Sequence, residues 1–224
     1  NPLESHGQHK RSAWFGCACC PANLCRFIPS VPGYIYATDA TSLYVNLYIQ
    51  NQTDIYFKSA KISLIQKTRY PWEGKVELTL NQAERQEFTL NLRIPGWARG
   101  EAVPCNLYHF VDSVENPVTI LINGKPAGYT LKNGYAMISR NWSPGDRIAL
   151  NLPMPIRYIA ADSGIEADRD RIALQRGPLV YCLEWPDNPN RHVFDLVFDK
   201  VTGLKTAFNP QLLGGVEVIT GTAS

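Results

Sequence analysis

Leu43-Tyr44-Val45-Asn46-Leu47-Tyr48-Ile49-Gln50 places Leu43, Val45, Leu47 and Ile49 at alternate positions against Tyr44, Asn46, Tyr48 and Gln50. Successive side chains of a strand point to opposite faces, so this period of two predicts a half-buried β-strand. The same alternation returns in Val76, Leu78 and Leu80, and again in Phe88, Leu90, Leu92 and Ile94. Val118–Ile122 runs into Asn123-Gly124, Asn133-Gly134 precedes Tyr135–Ser139, and Pro144-Gly145-Asp146 feeds Arg147–Leu152. Asn-Gly pairs suit tight hairpins because both residues tolerate a positive φ. Later strands are predicted over Ile172–Gln175, Leu179–Glu184, Val193–Phe198 and Val216–Ile219. Short strands separated by Gly, Pro and Asn predict an all-β chain, an antiparallel β-sandwich or jelly roll. Without a βαβ rhythm, a parallel sheet is not expected.

With 224 residues, the chain can build one large domain or two small ones. A net charge of +2, with Lys and Arg scattered, argues against nucleic acid as a partner. No apolar run is long enough to span a membrane as a helix. Asn1-Pro2-Leu3-Glu4 carries neither an initiator Met nor a signal-peptide pattern. The expectation is that the native N-terminus is absent, which leaves localisation unread, cytoplasmic or periplasmic in a bacterium. The triplets beginning at Asn51 and Asn141 fit the N-glycosylation pattern, which is too common by chance to carry weight. There is no Gly-rich phosphate loop, no His-Glu-x-x-His and no nucleophile-elbow serine.

Chemistry is densest upstream of the strands. Residues 14–27 read Trp-Phe-Gly-Cys-Ala-Cys-Cys-Pro-Ala-Asn-Leu-Cys-Arg-Phe, with Cys17, Cys19, Cys20 and Cys25 close together. Pro21 suits the start of a helix, predicted over about Pro21–Pro29, because the amide it lacks would have no intrahelical partner there. Cys19 and Cys20 then sit at or just before a helix N-terminus, where unpaired amides and the macrodipole favour an anion. The thiolate is the form that attacks carbon or binds a metal. Spacing alone leaves three readings open: inert buried thiols, a reactive or metal site, and disulfides. Vicinal Cys19 and Cys20 are a poor disulfide pair, and only Cys105 and Cys182 remain as distant partners. No second cysteine pair completes a four-ligand zinc site. Trp97, Trp142 and Trp185 could stack on sugars, although core or edge packing is the commoner use of tryptophan in a sandwich.

Several segments resemble glycoside hydrolase family 127, the β-L-arabinofuranosidase group. They are Asn1–Glu4, Trp14–Pro21 with Asn23 and Arg26, Arg93-Ile94-Pro95-Gly96-Trp97-Ala98, Ile122–Gly124, Arg140–Asp146, Leu152-Pro153-Met154 and Arg176–Tyr181. The resemblance implies a catalytic (α/α)6 barrel followed by β-sandwich domains. On that basis residues 1–35 are the C-terminal end of the barrel, carrying the Cys-x-Cys-Cys motif, and 36–155 form a β-sandwich. Residues 156–224 then add further strands or a second small β domain. The resemblance also implies a zinc ion held by three cysteines and a glutamate, with one cysteine doubling as nucleophile and a second glutamate as acid/base. Cys19 matches the nucleophile, also a zinc ligand, and Cys20 matches a zinc ligand. Cys17 is read as a supporting or packing residue, and Cys25, Cys105 and Cys182 as packing residues. The third cysteine and both glutamates fall upstream of Asn1, since Glu4 matches none of those positions. An arabinofuranoside-class carbohydrate and the missing N-terminal helical barrel are the implied partners, and the 224 residues alone are expected to be inactive. Trp14, Phe15, Leu24, Phe27 and Ile28 should pack on the sandwich or on a neighbouring copy, or be poorly ordered.

Overall fold

The computed structural model describes residues 19–57, 60–82, 84–113, 116–184, 188, 193–197 and 203–222. Two short helices come first, α1 (Cys19–Phe27) and α2 (Pro32–Ile35), with a 3₁₀ turn at Ile28–Ser30 between them. Strands follow as β1 (Tyr36–Thr38), β2 (Ser42–Val45), β3 (Asn51–Phe57), β4 (Ala60–Thr68), β5 (Lys75–Gln82) and β6 (Gln86–Arg93). Next come β7 (Tyr108–Phe110), β8 (Thr119–Ile122), β9 (Lys125–Pro126), β10 (Thr130–Lys132), β11 (Tyr135–Trp142) and β12 (Asp146–Asn151). The series ends with β13 (Ile156–Ala161), β14 (Ile172–Arg176), β15 (Leu179–Tyr181), β16 (Lys205–Asn209) and β17 (Val216–Thr220). No described helix after Leu43 is longer than four residues, so the body is all-β as the alternation predicts.

Of the described residues, one compact unit takes 29–180 and the other takes 19–28 with 181–222. In the first, a five-stranded sheet ordered β1-β2-β6-β11-β10 and a six-stranded sheet ordered β3-β4-β5-β12-β8-β9 enclose one core. Register explains how. Leu90 on β6 faces Ile138 on β11 and Leu43 on β2, and Leu92 faces Ala136 and Val45, all directed to one side. From the other sheet, Leu64 faces Leu80, Leu78 faces Ile148, and Leu150 faces Ile120. Trp142 closes one end of this core, stacked on Phe88 at 5.7 Å, and its indole Nε1 donates to the Phe88 carbonyl at 3.0 Å. Both Asn-Gly turns behave as expected: Asn123 (φ 51°) and Gly124 (φ 79°) join β8 to β9, and Asn133 (φ 51°) and Gly134 (φ 78°) join β10 to β11. A third sheet, β15-β14-β13-β7, buries Ile159 and Leu174.

Four local expectations are corrected. The strand predicted over Leu43–Gln50 stops at Val45, and the face then reverses. Leu47 and Ile49 are exposed, while Tyr48 is buried and its hydroxyl donates to the Arg93 carbonyl at 2.5 Å. Here the chain leaves the first sheet for the second, and Gln66 Nε2 donates to the Leu47 and Ile49 carbonyls at 3.2 and 2.8 Å in place of a ladder. Burial holds the Tyr48 phenol well above its usual range. Val193–Phe198 is not a strand: Val193–Asp195 is a 3₁₀ turn, and Phe198 lies outside the described residues. Leu179–Glu184 keeps only Leu179–Tyr181 as strand. β2 and β6 run parallel inside an otherwise antiparallel sheet, because the chain crosses to the other sheet between them.

In the other unit, β16 and β17 form an antiparallel hairpin from Lys205↔Thr220 to Asn209↔Val216. The Tyr181 hydroxyl donates to the Glu217 carbonyl at 3.1 Å. Within the single chain Leu24, Phe27 and Ile28 are each more than half exposed. Trp14 and Phe15 lie outside the described residues.

Candidate active site

α1 opens with Cys19 and Cys20 as its first two residues, slightly earlier than the start predicted at Pro21. Pro21 in the first turn removes a donor that the helix does not use, and that turn carries no acidic residue. Arg26 stands in the last turn, where a cation complements the dipole. No residue of α1 is buried.

The sulfurs of Cys19 and Cys20 are 3.7 Å apart, in hydrogen-bonding contact and far beyond the roughly 2 Å of a disulfide. That spacing has a second meaning. Two thiolates bound to one tetrahedral zinc at about 2.3 Å each stand roughly 3.8 Å apart, so the pair already has the edge length of such a centre. The two residues therefore fit as half of a zinc ligand set. Among the described residues no group of three or more potential metal ligands is assembled. Cys25 follows Cys20 by five residues, about 140° around the helix, and so points away from the pair. Cys25, Cys105 and Cys182 are exposed free thiols, not the packing residues expected. Cys17 lies outside the described residues.

The tryptophans divide. Trp142 is core, which removes it from any sugar-stacking surface. Trp97, in the 3₁₀ turn Gly96–Arg99, is half-buried against the sandwich core. Trp185 lies outside the described residues. Sequence reasoning passed over Arg157, whose Nε lies 2.9 Å from both Asp112 carboxylate oxygens and whose guanidinium sits 3.8 Å over the Phe110 ring. A lone Arg and a lone Asp, 45 residues apart, leave no pattern to read.

Residues 42–154 match the β-L-arabinofuranosidase GH127 middle domain, and residues 156–214 match the glycoside hydrolase family 127 C-terminal domain. The chain belongs to glycoside hydrolase family 127. This family 127 chain is 35% identical to the non-reducing end β-L-arabinofuranosidase of Bifidobacterium longum subsp. longum over 98% of its own length and 32% of that protein's. A solved GH127 β-arabinofuranosidase superposes with a TM-score of 0.89 at 41% identity, covering 96% of this chain and 34% of that one. A GH127 β-L-arabinofuranosidase from Geobacillus stearothermophilus gives 0.81 at 39% identity, covering 96% and 31%. The family 127 chain thus spans about a third of the length of the relatives it matches.

Proposed function

We propose that the whole protein is a retaining glycoside hydrolase acting on an arabinofuranoside, with Cys19 as nucleophile and Cys19 and Cys20 as two of its zinc ligands. The observation that carries this reading is the sulfur pair at the start of α1, 3.7 Å apart, in a chain of this family. In the same reading residues 1–35 complete a helical barrel, 36–155 are the first sandwich and 156–224 supply the remaining β structure. The barrel supplies the further ligands and the acid/base carboxylate.

A retaining glycosidase needs a nucleophile on one face of the anomeric carbon and a proton donor on the departing oxygen. Cys19 takes the first role: its thiolate attacks the anomeric carbon while the acid/base carboxylate protonates the leaving group. Water, deprotonated by that carboxylate, then displaces the thiolate and regenerates the starting stereochemistry. Zinc, when bound, keeps the sulfurs deprotonated at neutral pH and stabilises the departing thiolate. Cys20 holds its sulfur beside that of Cys19, and the first-turn amides of α1 favour negative charge at both. Positioning the thiolate before substrate arrives lowers the cost of orientation.

The test is hydrolysis of an aryl β-L-arabinofuranoside by the full-length protein, with zinc content assayed beside it. The expected result is turnover with retention and about one zinc per chain, lost in Cys19→Ala and in Cys20→Ala. The 224 residues alone are expected to show no turnover and at most weak zinc binding. Full activity in Cys19→Ala would overturn the reading.

A further inference from the structure

Within residues 29–180 a small pocket is lined by Trp97, Pro153, Pro155, Arg157, Gln175 and Gly177, among others. Three of the segments that carry the family resemblance meet here: Arg93–Ala98, Leu152–Met154 and Arg176–Tyr181. None of them has a part in the chemistry assigned to Cys19 and Cys20.

The polar atoms here are incompletely satisfied. Gln175 is 4% exposed, and its Oε1 is buried with no hydrogen-bond donor. Its Nε2 donates to the Gly177 carbonyl at 2.8 Å, which fixes the amide: a flip would set oxygen against oxygen. The indole Nε1 of Trp97 is also buried, and its neighbour is the Tyr70 hydroxyl, which does not line this pocket. Arg157, opposite Gln175 in the β13–β14 register, commits Nε and Nη2 to Asp112 and retains Nη1. A buried acceptor without a donor, on Gln175, therefore belongs to a pocket that also holds a cation.

The volume open to a water centre is about 40 Å³. One water needs roughly 10–15 Å³ of such volume and two to four polar partners, so the pocket takes about three or four waters at most. Sites for small organic molecules begin at roughly 300 Å³, which excludes a sugar ring here. We propose that ordered water occupies this pocket, donating to Gln175 Oε1. It joins the stretch matched to the middle domain (Trp97, Pro153) to that matched to the C-terminal domain (Arg157, Gln175, Gly177). Water is favoured over a fixed ion because the acceptor is a neutral amide and the only charge lining the pocket among the named residues is already paired.

The test is a crystal structure of the full-length protein at a resolution that shows ordered water, with magnetic relaxation dispersion in solution to count long-lived internal waters. A water about 2.7–3.2 Å from Gln175 Oε1 is expected in the wild type, lost in Gln175→Met, with a matching drop in the number of long-lived waters. Three results would overturn the proposal: a dry pocket in the wild type, Gln175 Oε1 bonded directly to a protein donor, or an unchanged water in Gln175→Met. The wild-type structure decides the matter even if a variant does not fold.

Discussion

Leu43, Leu64, Leu80 and Leu92 in the sandwich are 0% exposed, whereas Leu24, Phe27 and Ile28 in and beside α1 are 56%, 58% and 62% exposed. In both regions the apolar residues recur with a regular period, two along the strands and three to four along the helix. The strands meet their partners inside residues 29–180, so alternation turns directly into a core. α1 leaves its apolar side chains exposed and sets two sulfurs side by side at its start. On the proposed function, folding energy and chemistry are carried by separate parts of this chain. One part can be damaged without touching the other.

The largest expected effect falls on the chemistry. In the full-length protein, Cys19→Ala should lower kcat/KM for an aryl arabinofuranoside by about 10⁴-fold or more, the scale on which enzymes respond to loss of a nucleophile. In the 224-residue chain the same substitution should leave the thermal midpoint near that of the wild type, because α1 buries no side chain there. Steady-state kinetics beside a thermal melt measure both. A large fall in the midpoint would merge the two regions that the structure separates.

Next comes the core. Trp142→Ala empties a fully buried site and leaves the Phe88 carbonyl without its indole donor, and truncating a buried aromatic costs about 3–5 kcal/mol. Denaturant unfolding should show that loss. A cost below about 1 kcal/mol would mean that the end of the sandwich does not depend on Trp142. Gly74→Ala should follow, at about 1–3 kcal/mol, the usual cost of overpacking. A Cβ there would lie 1.7 Å from the Leu152 carbonyl oxygen, a backbone atom that Gly74 approaches while accepting from the Leu152 amide at 2.9 Å. The smallest effect sharpens the contrast: Leu24→Ser on α1 should change stability by no more than about 0.5 kcal/mol in the 224-residue chain, as at other surface positions. The same change in the full-length protein tests whether the barrel covers that face, in which case the cost should approach that of a core substitution.

Much of the sandwich was legible because a half-buried strand writes its orientation into sequence. Val76, Leu78 and Leu80 and then Phe88, Leu90 and Leu92 all point inward as the alternation requires. The Asn-Gly hairpins were legible because few other pairs tolerate their dihedral angles. β3 and β4 were missed. β3 is polar (Asn51-Gln52-Thr53-Asp54), and β4 sets Gln66, 0% exposed, where an apolar residue would have signalled the inward face. Gln66 is there to hold the crossing at Leu47 and Ile49, a requirement of tertiary structure invisible in the segment itself. The parallel β2–β6 pair and the Arg157–Asp112 contact depend on residues far apart in the chain, which local periodicity does not encode. At the candidate site, the helix start and the closeness of the two sulfurs were legible from Cys-Cys-Pro. Their separation of 3.7 Å, with its fit to a tetrahedral edge, was not.

The most direct test of the division between scaffold and chemistry is to trap the reaction on the full-length protein. An arabinofuranoside with an activated aryl leaving group can be mixed with enzyme, quenched with acid, digested and mapped by peptide mass spectrometry. The account predicts one pentosyl group on the peptide containing Cys19, located on that sulfur by fragmentation and absent in Cys19→Ala. A pentosyl group on a carboxylate or on another cysteine, or turnover that persists in Cys19→Ala, would contradict it.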